Sequence, residues 1–253
     1  MWEFSLNLKT ENFELAKFIH NNISAVCAKW HGVVTSVEEG GYISILIAVK
    51  EQDKEKTQSY LTNCIIEVIC TVFKSSFLDS NLFLPTQDPL GMNAFKKALL
   101  NFDKETDRYL VRKALKLEKD LFLESFYQFK LSTLKAKWAE LVTLANENRE
   151  YLTSTESFID LLKFLVDNLE ICEEEISIYQ SEDLSYQILV SDKLYQNRVF
   201  SEESLVSSII DLSPQKINLY FDEDSQAINL LHRLFEERIT DKKHSIIKHL
   251  GKI

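Results

Sequence analysis

The sequence predicts an α+β fold: an N-terminal βαββα unit, a helical middle, and a C-terminal β-hairpin followed by an αβα run. Three observations carry that reading. Apolar and polar residues alternate strictly near both ends, at Trp2, Phe4, Leu6 and Leu8 and again at Ile217, Leu219 and Phe221, which is the period of a half-buried strand. Gly40-Gly41 stands between two β-rich runs, a hairpin signal. Beyond Pro85-Thr86-Gln87-Asp88-Pro89 the apolar spacing is helical for about eighty residues.

The elements follow in order. After the first strand, Leu15, Phe18, Ile19, Ile23 and Val26 recur at helical spacing. Val33 to Val37 and Tyr42 to Val49 are the hairpin arms, and a long helix is predicted from Lys54 to Phe77, its face marked by Tyr60, Leu61, Cys64, Ile65, Val68 and Val72. This βαββα order lacks one strand of a ferredoxin-like unit, and Glu175 to Gln180 is the candidate to supply it. In the middle, Phe122, Phe126, Phe129, Leu134, Trp138, Leu141 and Ala145 form one stripe on one long helix. Thr153 with Glu156 reads as a capping box before a helix from Phe158 to Leu169, which should pack antiparallel on its predecessor. Ile176 to Tyr179 and Tyr186 to Val190 flank Ser181-Glu182-Asp183 as a second hairpin. These segments group as residues 1–84, 90–170 and 171–253. With no linker-like stretch separating the helices from the C-terminal strands, packing as one continuous domain is expected; two α+β domains joined by helices are the alternative.

The C-terminal αβα run is the best-ordered stretch. Ser201 precedes Glu202 and Glu203, so a hydroxyl cap and two carboxylates meet the positive end of a helix. Leu205, Val206, Ile209 and Ile210 form its apolar face, and Pro214 should end it at Ser213. Ile217 to Phe221 is the strand, and Ile228, Leu231 and Phe235 mark the next helix.

The segment Ser204-Leu205-Val206-Ser207-Ser208-Ile209-Ile210-Asp211-Leu212-Ser213-Pro214-Gln215-Lys216-Ile217 resembles the helix-to-strand signature of the YtxC-like proteins, a sporulation-associated family of endospore-forming bacteria. Phe129-Lys130-Leu131 and Phe158-Ile159-Asp160-Leu161-Leu162-Lys163-Phe164-Leu165-Val166 resemble the same family, in the expected order. The resemblance spans roughly residues 120 to 240. It departs at Ser213-Pro214-Gln215-Lys216, where the family pattern favours Ala-Pro-Lys-Lys. It implies sporulation as the cellular process and names no reaction.

Composition narrows the function classes. Five Gly and three Pro leave little material for phosphate-cradling loops or nucleophile elbows. A net charge of −10 opposes binding to nucleic acid or anionic lipid. Cys27, Cys64, Cys70 and Cys172 show no C-x-x-C pair, and His20, His31, His232, His244 and His249 lack metal-ligand spacing, so no zinc and no cofactor is expected. The thiols among apolar helical neighbours fit inert core packing. Glu173-Glu174-Glu175 fits a solvated edge strand and Asp222-Glu223-Asp224 a helix start, readings that compete with a divalent ion at either. No signal peptide opens the chain, and Ile43 to Val49 and Cys64 to Phe73 are too short to span a membrane, so a cytoplasmic location is expected.

The expected activity is therefore non-enzymatic, through contacts with an unidentified protein partner, with no nucleic acid and no membrane span. An enzyme with its cleft between the helical middle and the β-containing ends is the alternative, and a nucleic-acid-binding regulator is the third reading. Candidate contact residues are Ser213, Pro214 and Lys216, where the resemblance peaks and where a plain helix stop is the competing reading, and Ile246, Ile247 and Leu250. The last three lie in the basic amphipathic tail from Asp241 to Ile253, which fits a partner groove, a weak contact with a membrane surface, or the protein's own surface.

Overall fold

A computed structural model describes residues 1–83, 89–147, 155–181, 183–221 and 225–242. In chain order the elements are β1 (Trp2–Lys9), α1 (Phe13–Cys27), β2 (Val33–Glu39), β3 (Tyr42–Val49), α2 (Lys54–Val68), a π-helical turn (Ile69–Phe73) and α3 (Lys74–Asn81). Then come α4 (Pro89–Asn101), α5 (Lys104–Ala114), β4 (Asp120–Phe122), α6 (Leu123–Lys130), α7 (Ser132–Glu147), α8 (Thr155–Asp167), β5 (Glu173–Gln180), β6 (Tyr186–Val190) and β7 (Lys193–Leu194). The described chain closes with α9 (Glu202–Leu212), β8 (Pro214–Leu219), α10 (Gln226–Phe235) and β9 (Ile239–Asp241). The fold is α+β, with one sheet in each of two units.

The first unit takes Met1–Asn81 and Lys104–Val142. Its sheet order is β2-β3-β1-β4, with β1 antiparallel to β3 and β3 antiparallel to β2. Gly40 and Gly41 turn the β2–β3 hairpin with φ of 59° and 81°, a conformation that glycine reaches without a Cβ clash. The inward alternation holds: Phe4, Leu6, Leu8, Ile43, Ile45 and Ile47 share one core with Ile19, Leu61, Ile65 and Trp138.

The missing strand is not Glu175 to Gln180. Asp120–Phe122 fills the position beside β1, with Leu6 opposite Leu121. It runs parallel to β1, whereas the ferredoxin-like order has an antiparallel strand there. The cause is a second helix in the connection. Arg108 of α5 bonds Glu67, Arg112 bonds Asn63, and the carbonyl of Leu117 accepts from Gln58, so α5 runs back along α2 and delivers the chain to the end where α2 began.

The single long helix expected through Phe122 and Ala145 is also corrected. Phe122 ends a strand, and the helix breaks at Leu131, where φ is −107° and ψ is 34°. Leu123, Phe126, Leu134, Trp138, Val142 and Ala145 form the buried stripe, whereas Phe129 is 75% exposed. From Glu51 to Asn81 the helical run is long and apolar enough to cross a membrane by length and composition, longer than its separate apolar patches suggested. Its apolar stripe, Leu61, Ile65, Ile66, Val68 and Ile69, is buried in the core of this unit, as in the core helix of a folded domain.

The second unit takes Leu82–Asp103 and Thr143–Ile253. Its sheet order is β7-β6-β5-β8-β9. The predicted hairpin forms, β5 with β6, while β5 pairs in parallel with β8 and β8 with β9. Strand β5 is therefore internal, which overturns the edge reading of Glu173-Glu174-Glu175. Ile176, Ile178, Ile188, Ile217 and Leu219 are buried on one face of the sheet. Helices α4, α8, α9 and α10 pack on one another, with α8 against α4 and α10. The capping residue Thr153, the run Asp222-Glu223-Asp224 and the tail residues Ile246, Ile247 and Leu250 lie outside the described residues.

Candidate functional site

Helix α9 passes into strand β8 through one residue. Ser213 has φ 38° and ψ 61°, its N–H donates to the carbonyl of Ile209 at 2.9 Å, and the helix ends there as Pro214 dictates. A left-handed, non-glycine residue before a proline is strained by roughly 1 kcal/mol or more. The tight turn compensates one loss: Pro214 pairs with Glu173 without an N–H to give, and the N–H of Cys172 donates to the carbonyl of Ser213 at 3.2 Å. At the other end of α9 the hydroxyl of Ser201 caps nothing. It meets the hydroxyl of Ser204 at 3.1 Å, while Glu202 reaches across to accept from the N–H of Ala227 at the start of α10.

From Pro214 onward the odd positions, Ile217, Leu219 and Phe221, are buried as predicted. The even positions build the other face of the sheet, which sequence reasoning passed over. Lys216 lies opposite Glu175, Asn218 opposite Ser177 and Thr240, and Tyr179 opposite Gln187. Lys216 and Glu175 are each about half exposed and stand 3.4 Å apart. The Asn218 amide donates to the same Glu175 oxygen. That bond, with the Lys216 ammonium, holds the Glu175 carboxyl below its ordinary pKa.

Next along the face, the rings of Tyr179 and Tyr220 stack at 4.6 Å and 8°, and the Lys242 ammonium lies 5.7 Å from the centre of the Tyr220 ring. Burial, and then the neighbouring Tyr220, push the Tyr179 hydroxyl above its ordinary pKa. Two buried oxygens, Asn218 Oδ1 and Ser213 Oγ, have no hydrogen-bond partner among the described residues. The structure thus places Pro214 and Lys216 on this face and Ser213 in the turn beneath it. It adds Glu175, Tyr179, Asn218 and Tyr220, whose signal was the second set of alternating positions along β5 and along β8 into the residue after it, and Lys242, which follows β9 and shared no such pattern.

A second polar cluster lies in the first unit. Lys74, the first residue after the π-helical turn, is 1% exposed, and its ammonium lies 2.7 Å from Oδ2 of Asp107. Trp138 Nε1 donates to the same oxygen at 3.0 Å, and Lys137 donates to Oδ1 at 2.9 Å. Burial pushes the Lys74 ammonium below its ordinary pKa against the pull of Asp107. Burial raises the nearby Cys70 thiol to about 12 and the Cys64 thiol to about 11, far from the thiolate that reactivity needs. This cluster ties α3, α5 and α7 together and offers a substrate no surface. Among the described residues no group of three or more His, Cys, Asp or Glu side chains is placed to hold a metal ion.

The model of the YtxC-like family matches residues 96–240, more than half of the chain. The chain belongs to the YtxC-like family. No curated protein and no solved structure matches it. The matched residues include the sheet of the second unit up to Thr240 in β9, with Ser213, Pro214 and Lys216, and they exclude the strands β1 to β3.

Proposed function

We propose that this YtxC-like protein is a cytoplasmic sporulation protein that acts through protein–protein contacts, and that the exposed face of the second sheet is its contact surface. One observation carries the reading. The part of the chain that matches the family builds most of a sheet with one buried face and one part-exposed face of stacked tyrosines, Lys216 and a carboxylate, and Lys242, two residues past the match, extends that face. Stacked aromatic rings with charged neighbours give a partner large, rigid contact area together with orientation. Sporulation enters through the family. The lysines favour a partner with an acidic patch.

The test is site-specific photocrosslinking in sporulating cells of the endospore-forming host. A crosslinker at Lys216 or Lys242 should capture one protein, whereas one at exposed Lys56 of the first unit should not. Tyr220→Ala should reduce that capture at an unchanged melting temperature, and deleting the gene should lower spore yield. Normal sporulation without the gene, or equal capture from all three positions, would refute the reading.

A further inference from the structure

Strand β2 is an edge of the first sheet: one side of its backbone bonds β3 and the other has no strand among the described residues. It is exposed along its length except at Val34, with Val33 64% and Val37 47% exposed. Natural edges are protected by shortness, proline, bulges or charge; β2 runs seven residues with no proline and no lysine, and its only charges are Glu38 and Glu39 at one end. Beside it, a cavity of about 110 Å³ is lined by Phe13, Ala16, Lys17 and His20 of α1 together with Ser36 and Ile43. Lys17 and His20 have no ion pair or hydrogen bond among the described residues. The cavity is cationic and open at a strand edge.

The register shows what fits. Ser36 lies opposite Ile45 and Glu38 opposite Ile43, so both point to the side of the sheet that α1 covers; Val37, opposite Ser44, points to the other side. Within one copy Glu38 does not bond Lys17. We propose that a second copy of this chain adds to β2, antiparallel, about a twofold axis at Val37. Thr35 then pairs with the partner's Glu39, Ser36 with the partner's Glu38, and Val37 with the partner's Val37. Each Glu38 carboxylate enters the other copy's cavity beside Lys17 and His20. No acid lies directly opposite an acid, the two diagonal Glu38 carboxylates each being drawn to the other copy's Lys17, and the exposed Val37 side chains cover one another. A twofold at Glu38 would stack two carboxylates, and one at Ser36 would place Glu38 opposite Val34, away from the cavity. A two-fold pairing of identical strands is isologous and closes at the dimer. With a ladder only from Thr35 to Glu39, the dimer belongs to the small, transient class of interface.

This inference does not rest on the proposed function: it lies in the other unit, before the residues that define the family. The test is sedimentation equilibrium over concentrations up to roughly 200 μM, a range that resolves weak dimers. The wild type should pass from monomer to dimer, and the amides of Val33–Glu39 should exchange more slowly at the high end. Lys17→Glu and Glu38→Lys, both surface changes checked by melting temperature, should each weaken the dimer at least tenfold, and the double variant Lys17→Glu/Glu38→Lys should recover it to within about threefold. A wild type that stays monomeric, single variants that dimerise unchanged, or a double variant without recovery would each overturn the pairing. A monomer whose β2 amides are instead protected by an added Val/Thr-rich decapeptide would give the edge to a foreign strand, and that too would overturn it.

Discussion

At the scale of single residues, the largest energetic effect belongs to Asp107. Its carboxylate is buried and accepts from Lys74, Lys137 and Trp138. Asp107→Ala removes the buried acceptor that the Lys74 ammonium and the Trp138 indole share, and should cost about 3–5 kcal/mol in urea unfolding. Lys74→Met keeps the other two contacts and should cost less. Glu175 gives a pH signature. Its pKa is below the ordinary 4.5 in the folded chain, with the Asn218 amide as first cause. The stability it contributes is present above the ordinary value and is lost as pH falls through the folded one. An NMR titration of the Glu175 carboxyl should therefore show a midpoint below 4.5, and Asn218→Ala should raise it toward the ordinary value. A midpoint that ignores the substitution would remove the hydrogen bond from the account. The Lys74–Asp107 cluster was not legible from sequence. Lys74 looks like one of many surface lysines, and only the π-helical turn before it rotates it inward.

At the scale of elements, the turn from α9 to β8 is the feature best specified locally. Pro214 stops the helix, and the alternation from Ile217 to Phe221 sets the strand, so both were readable without tertiary knowledge. The left-handed Ser213 was not, because it follows from joining helix to strand with one residue. Ser213→Gly should leave stability unchanged or raise it by up to about 1 kcal/mol, and Ser213→Val should lower it by about 2 kcal/mol or more. Thermal melts of the two variants would check both signs. Strand β4 marks the opposite case. Asp120, Leu121 and Phe122 carry too short an alternation to stand out beside a helical stripe, and they become a strand only because β1 offers an open side. Phe122 was misassigned for the same reason: its spacing to Phe126 fits a helix, and its partner Asn7 is remote in sequence.

At the scale of the whole molecule, sequence composition and periodicity foretold the α+β class, and the routing of the chain was hidden. The first unit is completed by residues that come after α4, which belongs to the second. A fragment of Met1–Asn81 would lose Val111, Leu123, Phe126, Leu131, Leu134 and Trp138 from its core and leave Lys74 buried without Asp107. It should lack a cooperative melt by circular dichroism, whereas a fragment ending after Val142 retains every part of that core. A sharp transition in the shorter fragment would contradict this. The position of β4 also sets a timetable for synthesis. Ser5 meets Asp120 in the finished sheet. At roughly 5–20 residues per second, a ribosome exposes β1 for about ten seconds before its second neighbour exists. During that interval the nascent sheet has an open edge on each side, and folding inside the cell depends on what shields β1 until translation catches up.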